Sequence, residues 1–285
     1  MHNIARLIGR QLNPVVYLQA IVSVAGTVFC RRGLLWEMSK RDIHDRYAGQ
    51  WLGSLWAIIY PVFIISLYIF VFAYVFEIRG PSSGKGTADF TIYLLSGLLS
   101  WMSFQEILGR SPNAVINETS MVKQVVFPVE VIPLKAIFSA VLTQTIATAL
   151  LITFMFFKQV NLPWTLVLWP VLVAVQIVGM VGISFLFSSV TPFFRDTKDI
   201  IQVTSQMIMY TTPIFYSMHM VPTWAKPVVL ANPITHMVLC YQDVLYYGTI
   251  TNPVSWLVFT GFSLVLLGIG ARSFVVLKNF FGNVL

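Results

Sequence analysis

Charge is what this sequence has least of. Asp, Glu, Lys and Arg make up 10% of its 285 residues and hydrophobic types 57%, whereas soluble domains carry about 25% charged residues. That scarcity excludes a water-soluble globule, because its surface could not be covered. Cysteine is nearly missing too. Cys30 and Cys240 stand far apart with no second Cys near either, which excludes a disulfide framework and leaves them as packing residues. Catalytic patterns are also lacking: no HExxH, GxSxG or paired-carboxylate arrangement occurs, and His2, His44, His219 and His236 are scattered. His219, His236 and Asp243 share one segment and are the place where a reactive cluster would have to converge. Gly80–Thr87 comes near a phosphate loop, but its spacing is one residue short and Gly86 stands where a Ser or Thr should follow Lys85. No catalytic, metal or cofactor site is therefore expected in this chain, and any ATP-driven work must come from another polypeptide. The formal charge of +7 does not indicate nucleic acid, since the basic residues sit at the ends of apolar blocks.

Those blocks are what the sequence has in place of charge. Crossing the ~30 Å hydrocarbon layer at 1.5 Å per residue takes about 20 residues. Six stretches are read as spans: Gly53–Phe76, Thr91–Leu108, Leu134–Phe157, Trp164–Val190, Ile200–Tyr216 and Val254–Leu277. Between the last two, Pro222, Pro227 and Pro233 interrupt an apolar segment, which suits short re-entrant helices on the outer side. With the N-terminus inside, only Arg79, Lys85, Lys158 and Lys226 of the 18 Lys and Arg fall outside, so both termini are expected in the cytoplasm. The expected fold is an all-α, multi-pass protein of the cytoplasmic membrane. Residues 1–33 form an N-terminal extension, 34–52 an amphipathic interfacial helix, and 53–285 a six-span domain. Val15–Cys30, flanked by Arg10 and Arg31-Arg32, is read as a surface-lying or partly inserted helix rather than a seventh span.

Four features stand out within this plan. In Leu34–Trp51, Trp36, Ile43, Tyr47 and Trp51 recur near helical spacing while Lys40, Arg41, Asp42, His44, Asp45 and Arg46 fill the other side. Arg41 with Asp45 and Asp42 with Arg46 are i,i+4 pairs. Ser111-Pro112 is read as the capped start of a cytoplasmic helix over Pro112–Phe127, with Val115, Val122 and Val126 on its apolar side and Asn117, Glu118, Lys123 and Gln124 facing water or a partner. Both helices serve either as anchors or as docking elements. On span one, Trp56, Tyr60, Phe63, Leu67, Phe70 and Tyr74 fall within roughly 80° of arc at 100° per residue. That stripe packs on lipid or a neighbouring helix, or lines a path for sugar rings, whose C–H faces stack on aromatic rings. Span five carries Gln202, Ser205, Gln206 and Tyr216 near one face, the mark of a partner helix or a cavity. Glu106 is read as a boundary residue at the end of span two.

Three segments carry a resemblance: Arg46–Ala57 (RYAGQWLGSLWA) running into Pro61, Phe193–Ile200 (FFRDTKDI), and Thr212–Tyr216 (TPIFY) followed by Asn232-Pro233. Together they resemble the membrane subunits of ABC-2 type polysaccharide exporters, which move O-antigen, capsular or teichoic-acid polymers. The resemblance implies a homodimer of six-helix subunits joined to two copies of an ABC ATPase, with a lipid-linked polysaccharide as substrate and no nucleic acid. It implies that the interfacial helix and the helix after span two contact the ATPase, and that aromatic residues line the glycan channel. The channel set is then Trp56, Tyr60, Phe63, Phe70, Tyr74, Gln202, Gln206 and Tyr216. The ATPase-coupling set is Lys40, Arg41, Asp45, Arg46, Asn117, Glu118 and Lys123. An ABC-2 permease for a small molecule or drug, and a membrane glycosyl- or acyltransferase acting on lipid-linked sugars, are the competing functions.

Overall fold

The computed structural model describes residues 14–76, 89–123 and 127–284, and helix is the only regular structure among them. The helices are α1 (Pro14–Cys30), α2 (Arg32–Arg46), α3 (Trp56–Phe70), α4 (Asp89–Arg110), the single turns α5 (Ala114–Asn117) and α6 (Thr119–Val122), then α7 (Lys135–Phe157) and α8 (Trp169–Val190). They continue as α9 (Thr197–Thr211), α10 (Lys226–Ala231), α11 (Pro233–Gln242), α12 (Pro253–Leu277) and α13 (Phe281–Val284). Four stretches are long and apolar enough to cross a membrane: Gly53–Val75, Val129–Phe157, Trp164–Val190 and Pro253–Phe280. α1 and α2, bent by 76° at Arg31, make a fifth only if taken together.

The helix α4 is long enough to cross, at 22 residues, but less apolar, and its position explains why. Seventeen of those residues are buried, packed by α7, α8, α9 and α11. A helix wrapped by other helices does not need a lipid-compatible surface and can hold Ser96, Ser100 and Ser103. The fifth predicted span is shorter than the sequence suggested. α9 stops at Thr211, not Tyr216, because Pro213 has no N–H to donate and disfavours helix in the residue before it. The carbonyls left free there find partners. Tyr93 Oη donates to Pro213 O at 3.0 Å and to Tyr216 O at 2.9 Å, and Gln242 Nε2 donates to Pro213 O at 2.8 Å. The Asn232-Pro233 pair starts α11: Asn232 Oδ1 accepts from Ile234 N at 3.0 Å while its Nδ2 donates to Thr211 Oγ1 at 3.2 Å. α11 is thereby tied to the end of α9.

Close packing of α8 on α12 depends on two glycines. A Cβ on Gly182 would lie 2.3 Å from the Leu266 carbonyl carbon, and one on Gly270 would lie 2.0 Å from the Gly182 oxygen. Only hydrogen atoms allow the two backbones this near, the small-residue device of membrane helices. α1 lies along the same α12, with Ala20 and Val24 buried and Tyr17 over Gly268.

Two local readings need correction. The interfacial helix runs over Arg32–Arg46 rather than Leu34–Trp51, because the chain turns at Gly49 (φ 78°), a left-handed conformation that glycine adopts without strain. Trp51 is left 96% exposed. The helix expected over Pro112–Phe127 is broken at Glu118 (φ −111°, ψ 30°) into α5 and α6, and Ser111 caps nothing: its hydroxyl donates back to the Ile107 carbonyl. Val126 and Gln124, like the loop Glu77–Gly84 and the near-phosphate-loop Gly80–Thr87, lie outside the described residues.

Candidate functional site

The predicted coupling residues divide into outward and inward groups. Lys40, Arg41 and Asp45 are exposed on α2 and held only by local pairs, Lys40 Nζ to Glu37 Oε1 at 2.7 Å and Arg41 Nε to Asp45 Oδ2 at 3.3 Å. Asn117 and Lys123 are exposed as well. Arg46 turns inward instead. The i,i+4 pairing of Asp42 with Arg46 does not form, because each finds a partner on another helix. Arg46 Nη2 donates to Glu106 Oε1 at 2.6 Å and to Ser139 Oγ at 2.9 Å. Arg110 donates to Asp42 Oδ2 at 2.5 Å and reaches Glu106 Oε1 at 3.4 Å. Lys135 lies 3.8 Å from Asp42 Oδ1 and pairs with Glu118.

The result is an alternating chain of charges, Arg46–Glu106–Arg110–Asp42–Lys135–Glu118, that joins α2 to α4, α7 and the α5–α6 break. Glu106, at the end of α4 as expected from the sequence, is shared by two arginines of this chain, Arg46 and Arg110. Burial works against the Arg46 charge, but the attraction and hydrogen bonds of Glu106 and Tyr47 together outweigh it, so the pKa of this guanidinium is raised. The line of α2 that faces the bundle, Leu35, Ser39, Asp42 and Arg46, is consequently more polar than the expected amphipathic pattern.

Between α2 and the α5–α6 segment runs a groove of about 410 Å³. Leu34, Met38, Met121 and Phe127 line it together with the charged Glu37, Arg41, Asp42, Asp45, Glu118 and Lys135, and Asp42 and Lys135 are largely buried. The two segments that the sequence reading separated by some seventy residues thus form the walls of one surface. Exposed apolar and charged side chains mixed along one groove suit the docking of a protein partner.

The aromatic stripe is also divided by the fold. Phe63 (68%), Leu67 and Phe70 (58%) are exposed along α3, and Trp56 is half-buried. Tyr60, at one end, lines a half-open cleft of about 380 Å³ between α3, α4 and α7, which also holds Gln105, Glu106, Arg46 and Gln144. Tyr74, at the other, has Lys158 Nζ 4.6 Å above its ring. The opposite face of this stretch is anchored through rings as well: Phe72 meets Phe90 at 5.9 Å and Phe90 meets Tyr93 at 6.3 Å. Only 11% of the window in Gly53–Val75 is buried, against 33–39% for the other three spanning stretches. On α9, Gln202 and Gln206 are exposed beside Val203, Met207 and Tyr210, while Ser205 is buried. Tyr216 is half-buried and folds back, donating its hydroxyl to Thr211 O at 2.9 Å. α3 packs on α7 and α9 on α4, so the two expected lining faces are presented separately by one chain.

The polar centre of the bundle escaped the sequence reading. Gln144 and Gln176, each alone in an apolar span, meet at the core. Ser103 Oγ donates to Gln144 Oε1 at 2.7 Å, Gln144 Nε2 donates to Gln176 Oε1 at 3.1 Å, and Gln176 Nε2 donates to Ser103 Oγ at 2.7 Å and Ser100 O at 3.0 Å. Tyr241 of α11 closes the ring, accepting from Gln144 Nε2 at 3.0 Å and donating to Gln176 Oε1. The cleft beside Tyr60 reaches this ring at Ser103 and Gln144.

The histidines do not make a reactive centre. His236 is held by Ser255 Oγ at 3.0 Å and Leu230 O at 2.9 Å, and shares a small cavity with His219. Asp243 faces elsewhere, bound to Thr251 and to Trp256 Nε1 at 3.2 Å. Among the described residues no group of three His, Cys, Asp or Glu is placed to hold a metal.

Comparison with known proteins adds a lineage to this geometry. The sequence profile of the family "ABC-2 type transporter" matches residues 33–246. The chain is similar to an O-antigen export system permease protein RfbA of Klebsiella pneumoniae, 28% identical over 257 residues that cover 88% of this chain and 95% of that one. An RfbA of Myxococcus xanthus is 24% identical over 238 residues, covering 83% and 89% of the two chains. The polysialic acid transport protein KpsM of Escherichia coli is 25% identical over 235 residues, covering 81% and 88%.

Proposed function

The chain belongs to the ABC-2 type transporter family, and we propose that it is the membrane subunit of an ATP-driven exporter that carries a lipid-linked polysaccharide across the cytoplasmic membrane. Its relatives are named as permeases for O-antigen and a transport protein for polysialic acid, which are polymers of one chemical class. In this reading the chain crosses six times, counting α4 and α9 with the four strongly apolar stretches, and keeps both termini in the cytoplasm. Two copies face each other, and two copies of a separate ABC ATPase dock on the groove between α2 and the α5–α6 segment. ATP and Mg act in that partner. The charge chain from Arg46 to Glu118 carries the movement of the docked ATPase into α4 and α7.

The observation that supports this reading most is the bare face of α3. A spanning stretch with only 11% of its window buried and with Tyr60, Phe63 and Phe70 exposed in a row needs surroundings from outside the chain. Facing a second copy, the stripe becomes the wall of a path on which sugar rings stack without a fixed hydrogen-bond register. Such contacts hold a polymer and still let it slide. The test is the double substitution Tyr60→Ala with Phe63→Ala. Surface polymer is expected to fall at least tenfold while the chain still co-purifies with its ATPase; undiminished polymer would remove the stripe from the path.

A further inference from the structure

The elbow between α1 and α2 holds a cavity that the transport path does not use. It has a volume of about 380 Å³, within the range of ligand pockets, roughly 300–1,000 Å³. Val28 closes it from α1, Leu35 and Trp36 from α2, and Ile137, Val141 and Val181 from the flanks of α7 and α8. Trp36 is fixed there by an edge-on contact with Phe138 at 4.8 Å. Besides the indole, the polar groups of the lining are Ser39 and Arg32.

Two observations indicate an occupant with a polar head. Ser39, 1% exposed, puts a hydroxyl into an otherwise apolar lining. A ligand that brings a polar group into such a chamber needs a partner for it there. Arg32, which lines the chamber, and its chain neighbour Arg31 are both exposed, and neither has an ion pair among the described residues; the Arg32 guanidinium lies 5.3 Å from the centre of the Phe29 ring. α1 and the first turn of α2 carry no acid, and the nearest one, Glu37, is engaged by Lys40. The elbow therefore carries two positive charges with no carboxylate partner among the described residues, beside an apolar chamber on the flank of two spanning helices.

We propose that this elbow binds one anionic phospholipid. An acyl chain fills the apolar chamber, a glycerol ester carbonyl accepts from Ser39 Oγ, and the phosphate lies at Arg31 and Arg32. Trp36 sits at the level where indoles collect, between headgroup and hydrocarbon. A protein segment is disfavoured as the occupant, since it would have to bring a backbone into a chamber with almost no hydrogen-bonding group. The elbow itself lies just before the family-matched residues 33–246. The proposal is independent of what the chain transports.

The probe is native mass spectrometry of the full-length protein in detergent with equimolar dioleoyl phosphatidylglycerol and dioleoyl phosphatidylcholine. One phosphatidylglycerol per chain is expected to stay bound, and inorganic phosphate is expected not to displace it. Arg31→Gln with Arg32→Gln, two surface changes that leave the fold alone, should weaken retention roughly five-fold per arginine. Val181→Phe, which fills the chamber, should abolish it. Equal retention of the two lipids, or a preference unchanged in the arginine variant, overturns the proposal. Retention that appears only after deletion of residues 1–13 also overturns it, by assigning the chamber to the chain's own N-terminus.

Discussion

Gln144 and Gln176 show how a single residue can matter in a membrane core. In hydrocarbon their amides have no water to turn to, so each hydrogen bond in the ring with Ser103 and Tyr241 stands against an unsatisfied group. Gln176→Leu is expected to lower stability by about 1–2 kcal/mol, and adding Gln144→Leu should cost less than a second such step because the two share partners. Thermal unfolding of the single and double variants in detergent checks this; fully additive losses would mean the ring is not a unit. Gly182→Ala tests a different contact. The new methyl meets the Leu266 backbone 2.3 Å away, so a loss of about 2 kcal/mol or more is expected from overpacking, read as a lower unfolding midpoint. These roles were not legible in the sequence, since one glutamine or glycine in an apolar run has no period. The aromatic stripe of α3 was legible, because a repeat along one helix is written in local spacing.

At the scale of elements, apolar length was the readable quantity. Gly53–Val75, Trp164–Val190 and Pro253–Phe280 correspond closely to stretches the sequence marks, because hydrocarbon thickness acts on each helix separately. α4 is less apolar because neighbouring helices stand in for lipid, and α9 is shorter because Pro213 ends it. The pairing of Asp42 was not readable at all: its i,i+4 neighbour Arg46 was available, but Arg110 and Lys135, distant in sequence, claim it. Tertiary geometry decided against the local pair. This predicts a strong effect of Glu106→Gln, which leaves Arg46 and Arg110 without their shared carboxylate. The cost is about 2 kcal/mol, between exposed and fully buried pairs. Export should drop several-fold while the ATPase remains bound and hydrolyses ATP without moving polymer. An unchanged ratio of polymer exported to ATP hydrolysed would show that the charge chain carries no motion.

For the whole molecule, the division of labour follows from what one chain leaves unfinished. α3 presents rings to the outside, α9 presents Gln202 and Gln206 separately, and the groove beside α2 has no occupant among the described residues. In the proposed reading a second copy completes the path and an ATPase completes the engine. The most direct test is reconstitution in liposomes of this chain with its partner ATPase and a lipid-linked polysaccharide, scoring ATP-dependent appearance of the glycan on the far leaflet with a membrane-impermeant glycosidase. The account predicts glycan movement that needs both chains and is lost in the Tyr60→Ala, Phe63→Ala variant. ATP hydrolysis by this chain alone, or ATP-driven passage of a small molecule with the lipid-linked polysaccharide left in place, would contradict it.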